Sequence, residues 1–237
     1  FKKNSPTIIK KRFVDKLTNA KILGAYQLND EFLYKENLNS LYKNFGRLSK
    51  NADLFIISDY GHGLINKEFI KKIKKIKKFI AVNVQVNSSN IGYHSLKNFN
   101  GVDCVIINEN ELRYEMRSKQ EKIEILMKKL INDMKLRHLV VTRGSSGVIM
   151  ATKNKKFFYC EAYAGKIVDK VGTGDAMIAI LSLLLFSGVD NKLSLFLSSL
   201  CASQKISVIG NKEFIKKDIL LKEKRHATKE LYESNLS

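Results

Sequence analysis

The sequence predicts an α/β fold with a mainly parallel sheet, helices on both faces and a small separate β sheet. Three observations carry the prediction. From Ala52 onward, apolar runs of strand length alternate with amphipathic stretches of helical spacing. Short polar links follow the apolar runs, which sets several polar segments at the carboxyl ends of the predicted strands. Two further strand-like runs precede this pattern and are expected to form a separate small sheet.

Thr7 to Asp15 and Ile22 to Leu28 cluster apolar residues around Lys10, Lys11 and Arg12 and read as two strands, joined by Lys16 to Lys21. Asn37 to Leu48 has helical spacing. Asp53 to Ser58 has the pattern of a buried strand and runs into the turn Asp59, Tyr60, Gly61, His62, Gly63. Asn66 to Lys78 spaces Phe69, Ile70, Ile73 and Ile76 between lysines as an amphipathic helix does. The strand Ile80 to Val84 leads to a polar loop, Gln85 to Tyr93, whose Asn and Ser side chains suit turns. A short helix near His94 to Phe99 precedes the strand Val102 to Ile107, and Asn108 to Glu111 (NENE) opens a helix toward Arg117. Lys122 to Asp133 is amphipathic, and Leu139 to Thr142 is a short strand ending in Arg143, Gly144, Ser145, Ser146, Gly147. Val148 to Thr152 and Lys156 to Tyr163 read as a hairpin turning near Asn154 and Lys155. The apolar run Ala176 to Phe186 and the stretch Lys192 to Ser207 are the last helices, and the charged tail beyond Leu221 is expected to be exposed. With no repeat or low-complexity linker, residues 1–237 read as one domain, with the two leading strands at about 6–30 and an α/β portion at about 50–220.

Composition narrows the function classes. The net charge of +19 would suit a nucleic-acid partner, but it is mostly dispersed lysine, and no aromatic stacking pattern accompanies it. The densest run, Lys71 to Lys78, reads as the solvated face of a helix, so a nucleic-acid partner is not expected. No apolar run reaches the roughly 18 residues of a membrane span. Cys104, Cys160 and Cys201 are far apart and odd in number, as expected of thiols in a reducing cytoplasm. The four histidines are scattered, and neither a zinc site nor a Cys/His nucleophile is suggested.

The stretch with chemical content is Asp169, Lys170, Val171, Gly172, Thr173, Gly174, Asp175. Two glycines two apart let the backbone turn and present N–H groups, and the helix that follows adds the positive end of its dipole. Such a turn binds phosphate. Asp175 would then stand in the first turn, either as a helix cap or as a base beside the anion cradle.

With NENE and VTRGSSG, this stretch resembles the ribokinase-like carbohydrate kinases of the PfkB family. DKVGTGDA is similar to the family signature of Asp, two variable residues, Gly, Ala, Gly, Asp. NENE resembles its Asn, any, any, Glu motif, and VTRGSSG its Thr, any, Gly, any, any, Gly nucleotide segment. The three occur in family order, each after a predicted strand. Within the family, SDYGHG resembles the SDYGKG element of the heptose 7-phosphate kinases that form the kinase half of ADP-heptose synthases. PTIIKKRFVD and YQLNDE resemble their lid strands.

The resemblance implies a ribokinase-like fold and a set of roles. Asp175 is the base, and the amides of Gly172, Thr173 and Gly174 hold the phosphoryl oxygens. Thr142, Gly144 and Gly147 line the ATP site, with Asn211, in the loop Ser207 to Asn211, near the adenine. Asn108 and Glu111 organise Mg2+ through water, and Asp59, His62, Lys10 and Arg12 face the sugar. The implied activity is an ATP-dependent kinase of a sugar or sugar phosphate, with two copies of the chain pairing through their lid strands.

Three positions depart from the pattern: Thr173 stands for alanine, His62 for the lysine of SDYGKG, and Val82, Asn83, Val84, Gln85 where those relatives have Asp-Pro-Lys. The family's strand-rich front, with a Gly-Gly and Asn element that grips the sugar, is not represented, so the chain is expected to be a piece of a longer kinase. The competing expectation is a non-catalytic, kinase-derived nucleotide-binding module, or a subunit of a fused kinase and nucleotidyltransferase.

Overall fold

The computed structural model describes residues 5, 7–18, 21–29, 31, 33–86, 96–163 and 172–206. The lid is an antiparallel pair, β1 (Ile9–Val14) and β2 (Lys21–Gln27), in register from Ile9 opposite Gln27 to Val14 opposite Lys21. It forms a sheet of its own, and every residue of β1 is exposed. Asp15 turns the chain out of β1, its Oδ1 accepting from the Thr18 amide and hydroxyl at 2.7 Å each.

Six strands make the main sheet in chain order: β3 (Leu54–Asp59), β4 (Phe79–Val84), β5 (Cys104–Asn108), β6 (His138–Thr142), β7 (Val148–Thr152) and β8 (Phe157–Cys160). The first four are parallel, and β7 and β8 continue antiparallel. Side chains alternate across the central strands. Ile80, Val82, Val84, Val105, Ile107, Leu139, Val141 and Ile149 enter one core, while Ala81, Cys104, Ile106, Val140 and Met150 enter the other. The first core is closed by α2 (Lys67–Lys74), α3 (Glu109–Met116) and α4 (Ile123–Met134), with α1 (Lys35–Leu48) packed at its margin. The second is closed by α5 (Thr173–Phe186) and α6 (Asn191–Ile206). The expected mainly parallel sheet with helices on both faces is observed.

Element ends differ from the sequence reading for local reasons. Helix α2 covers only part of Asn66 to Lys78. Asn66 is its cap, accepting from the Phe69 amide at 2.8 Å, and the chain leaves the helix at Lys75 through three-residue turns so that β4 can begin at Phe79. The helix near His94 to Phe99 is seen as a 3-10 turn, Leu96–Phe99, and 87–95 lie outside the described residues. Strand β8 stops at Cys160, short of Tyr163. The tail beyond Leu221 also lies outside the described residues. Among those described, no helix is long and apolar enough to cross a membrane.

The turn between β6 and β7 leaves no room at Gly147. Its φ is +77°, and a Cβ there would lie 2.1 Å from the Cys160 carbonyl oxygen. Gly147→Ala therefore combines a backbone conformation that L side chains avoid with a clash against backbone. We expect a loss of about 3 kcal/mol, read as a lower urea midpoint.

Candidate active site

Parallel register brings the polar motifs to one rim. Asp59 ends β3 opposite Val84, and Asn108 ends β5 opposite Thr142, the last residue of β6. Helix α5 packs beneath β3, β4 and β5 and carries Asp175 in its first turn.

Asn108 and Glu111 form a reciprocal cap on α3. Asn108 Oδ1 accepts from the Glu111 amide at 2.9 Å, and Glu111 Oε2 accepts from the Asn108 amide at 2.8 Å. Glu111 Oε1 accepts from the Val86 amide at 3.3 Å, which ties the exit of β4 to α3. Glu111 is only 8% exposed, and burial pushes its carboxyl up against the opposing pull of the Asn108 and Val86 amides. No group of three or more His, Cys, Asp or Glu side chains able to hold a metal is found among the described residues. With both Glu111 oxygens already accepting N–H groups, this pair fits an ion held through water and does not fit direct ligation by several carboxylates.

The neighbouring residues add a contact that the motifs alone do not announce. Because Asn108 faces Thr142 in register, the next residues are also side by side, and Arg143 Nε donates to Glu109 Oε2 at 3.1 Å. Glu109 Oε1 accepts from Arg113 Nη2 at 2.7 Å and from its Nε at 3.0 Å. Arg113 first, then Arg143, holds the Glu109 carboxyl below the usual range. This pair fastens the loop carrying Gly144 and Gly147 to the start of α3. The loop also closes on itself, the Arg143 amide donating to the Gly147 carbonyl at 2.8 Å.

At the start of α5, Gly172 takes φ +81° at the cap position, with Thr173, Gly174 and Asp175 forming the first turn. A Cβ on Gly174 would meet nothing within 4 Å, so packing does not require a glycine here. Asp175 is exposed, and Tyr60 Oη donates to its Oδ1 at 3.2 Å across 115 residues of sequence. Burial first, and then the charge of Asp175, pushes the Tyr60 phenol up.

A cavity of about 260 Å³ lies between the lid and the end of β3, lined by Ile8, Lys10, Asp59, Tyr60 and His62 among others. Lys10 Nζ sits 5.1 Å from the centre of the Tyr60 ring. Asp59 is 3% exposed, and its Oδ1 accepts from the Gly61 amide at 3.0 Å, so part of its carboxylate shapes the turn. Arg12 is exposed on β1 and is not among the cavity-lining residues. Lys10, Asp59 and His62 are thus brought together, whereas Arg12 stands apart. Asn211 and Asp169 to Val171 lie outside the described residues. Sequence reading passed over Tyr60, Glu109 and Arg143 as site residues. The signals available for them were adjacency to Asp59 and the opposite charges of two motifs on adjacent strands.

The pfkB family carbohydrate kinases match this chain over residues 11–218. The bifunctional protein HldE of Koribacter versatilis is 28% identical over 162 residues, 67% of this chain and 32% of that protein. That of Haemophilus influenzae strain PittEE is 24% identical over 201 residues, 82% of this chain and 41% of its own length. The Campylobacter jejuni protein of the same name is 28% identical over 177 residues, 73% and 37% respectively. The chain therefore spans well under half the length of these relatives.

Among solved structures, phosphofructokinase-2 from Escherichia coli in complex with potassium aligns with TM-score 0.71 at 14% identity, over 87% of this chain and 67% of that one. Ribokinase from Thermotoga maritima gives 0.71 at 16% identity, over 93% and 70%. Arabidopsis thaliana ribokinase, complexed with ribose and ATP, gives 0.64 at 18% identity, over 85% and 65%. The fold is ribokinase-like. The family match runs from the lid through the rim to α6, and the chain belongs to the pfkB family of carbohydrate kinases.

Proposed function

We propose that this chain forms the ATP-binding portion of a kinase that transfers the γ-phosphoryl group of ATP to a hydroxyl of a sugar or sugar phosphate. The observation that carries this reading is the juxtaposition at the start of α5: an exposed carboxylate, Asp175, beside the open helix end of Gly172, Thr173 and Gly174, joined through Tyr60 to the cavity under the lid. An acceptor hydroxyl entering from that cavity gives its proton to Asp175 as its oxygen attacks the γ-phosphorus and the bond to the bridging β,γ-oxygen breaks. The amides of the first turn receive the phosphoryl oxygens, where the helix dipole favours negative charge. The bare Gly174 leaves that approach unobstructed.

In the same reading, Thr142, Gly144 and Gly147 line the nucleotide site, with Asn211 beside the adenine. Magnesium, when bound, neutralises charge on the transferring phosphates, and Asn108 and Glu111 hold it through water. Lys10, Asp59 and His62 meet the acceptor, with Arg12 reaching it only if the lid moves. The HldE relatives support a heptose phosphate as acceptor, and Lys10 supplies the cation such a substrate needs where His62 replaces the lysine of SDYGKG. The exposed side chains of Phe13, Val14, Ile22 and Leu23 support pairing of two copies through the lid. Free thiols at Cys104, Cys160 and Cys201 suit a reducing cytoplasm. A second reading, a nucleotide-binding module within a larger bifunctional protein, is favoured by the chain's covering only 32% to 41% of the relatives described above.

Asp175→Ala tests the first reading. With ATP, Mg2+ and a panel of heptose 7-phosphate, fructose 6-phosphate and ribose, ADP release should fall by at least about 10²-fold while ATP binding by calorimetry persists. Turnover equal to wild type removes the base assignment. Glu111 adds a pH signature. A carboxyl whose folded pKa is raised contributes stability that is full below its unfolded pKa and is lost as pH rises through the folded value. As pH rises above about 4, Glu111→Gln should lose less stability than wild type, measured by urea midpoints.

A further inference from the structure

We propose that Tyr60 is a positioning residue for Asp175, an inference that rests on Asp175 being the base. Among the described residues, the Tyr60 hydroxyl makes the one side-chain hydrogen bond to Asp175, at 3.2 Å to Oδ1. This contact has a specific consequence at a helix start. A carboxylate in the first turn would otherwise swing back onto the N–H groups at the start of its own helix, as capping residues do. Those N–H groups at Gly172 to Gly174 are the ones a phosphoryl group requires. By engaging Oδ1, Tyr60 draws the carboxylate away from the amides and leaves Oδ2 to take the proton of an acceptor hydroxyl.

Tyr60 is itself held from three sides. It directly follows Asp59, whose carboxylate accepts from the Gly61 amide and whose carbonyl accepts from the Gln85 amide at 2.9 Å, so the turn is anchored to β3 and to the exit of β4. From the lid, Lys10 Nζ lies over its ring at 5.1 Å. The ring also lines the cavity, so an acceptor bound there touches the residue that aims the base. A tyrosine phenol is protonated at neutral pH and so is a donor, as this role demands, and burial, then the charge of Asp175, pushes that of Tyr60 further up.

The test combines a titration with kinetics. In protein labelled with 13C at the tyrosine ring, the Tyr60 signal is identified by its loss in Tyr60→Phe. Replacing the charge of Asp175 in Asp175→Asn should then lower the pKa of that one phenol, and an unmoved titration overturns the proposal without any reference to turnover. In the kinase assay, Tyr60→Phe should lower kcat about tenfold with KM for ATP unchanged and the same melting midpoint, because the base is present but no longer aimed. If Asp175→Asn abolishes turnover while Tyr60→Phe keeps the full kcat, the positioning role is overturned and the base stands. If Asp175→Asn turns over normally, the base assignment falls, and this inference falls with it.

Discussion

The rim depends on the burial of the central strands from both sides. In β5 and β6, successive residues belong to opposite cores: Val105 and Ile107 pack under α3 and α4, Cys104 and Ile106 under α5 and α6. Each such aliphatic side chain contributes roughly 1.5–3 kcal/mol on burial. A slip of one residue would move every one of them to the wrong core and face. Register is therefore strongly specified, and with it the position at which apolar alternation stops. On β5 and β6 it stops together, so that Asn108 stands opposite Thr142, while Asp59 ends β3 beside the last core residue of β4, Val84.

From that edge, the loops are secured by a few directional bonds. Glu111 reaches Val86, and Arg143 reaches Glu109, so the exits of β4, β5 and β6 are joined to one helix start. At Gly147 the absence of a side chain lets the turn pass the Cys160 carbonyl, and the sheet changes from parallel to antiparallel just beyond the predicted nucleotide segment. Capping and chemistry need not compete at these positions. A carboxylate such as Glu111, fixed by two amides and mostly buried, is well placed to orient a water but poorly placed to move, whereas Asp175 is exposed and, among the described residues, held by a single side chain.

Much of this was legible in the sequence. Strand cores and their polar ends were readable from β3 to β7, since apolar runs buried on both faces have few alternatives and the motifs follow them directly. The helix starts at Asn66 and Asn108 were equally readable, because both are caps. Helix α2 was overextended because Ile76 continues the helical spacing into a turn that tertiary structure imposes. The Tyr60 contact with Asp175 was invisible for a different reason: it spans 115 residues and depends on how α5 crosses β3. The pairing of Glu109 with Arg143 required the register of β5 against β6, which no local pattern encodes. Lys10 and Arg12 looked equivalent as lid cations, yet only Lys10 lines the cavity.

The central claim is that the glycine turn after β6 and the start of α5 act together on one nucleotide. Titrating 15N-labelled protein with a non-hydrolysable ATP analogue and Mg2+ addresses it directly. The account predicts saturable amide shifts at Gly144, Gly147, Thr173 and Gly174 that follow one binding curve. Saturable binding that leaves these four amides unmoved would contradict it.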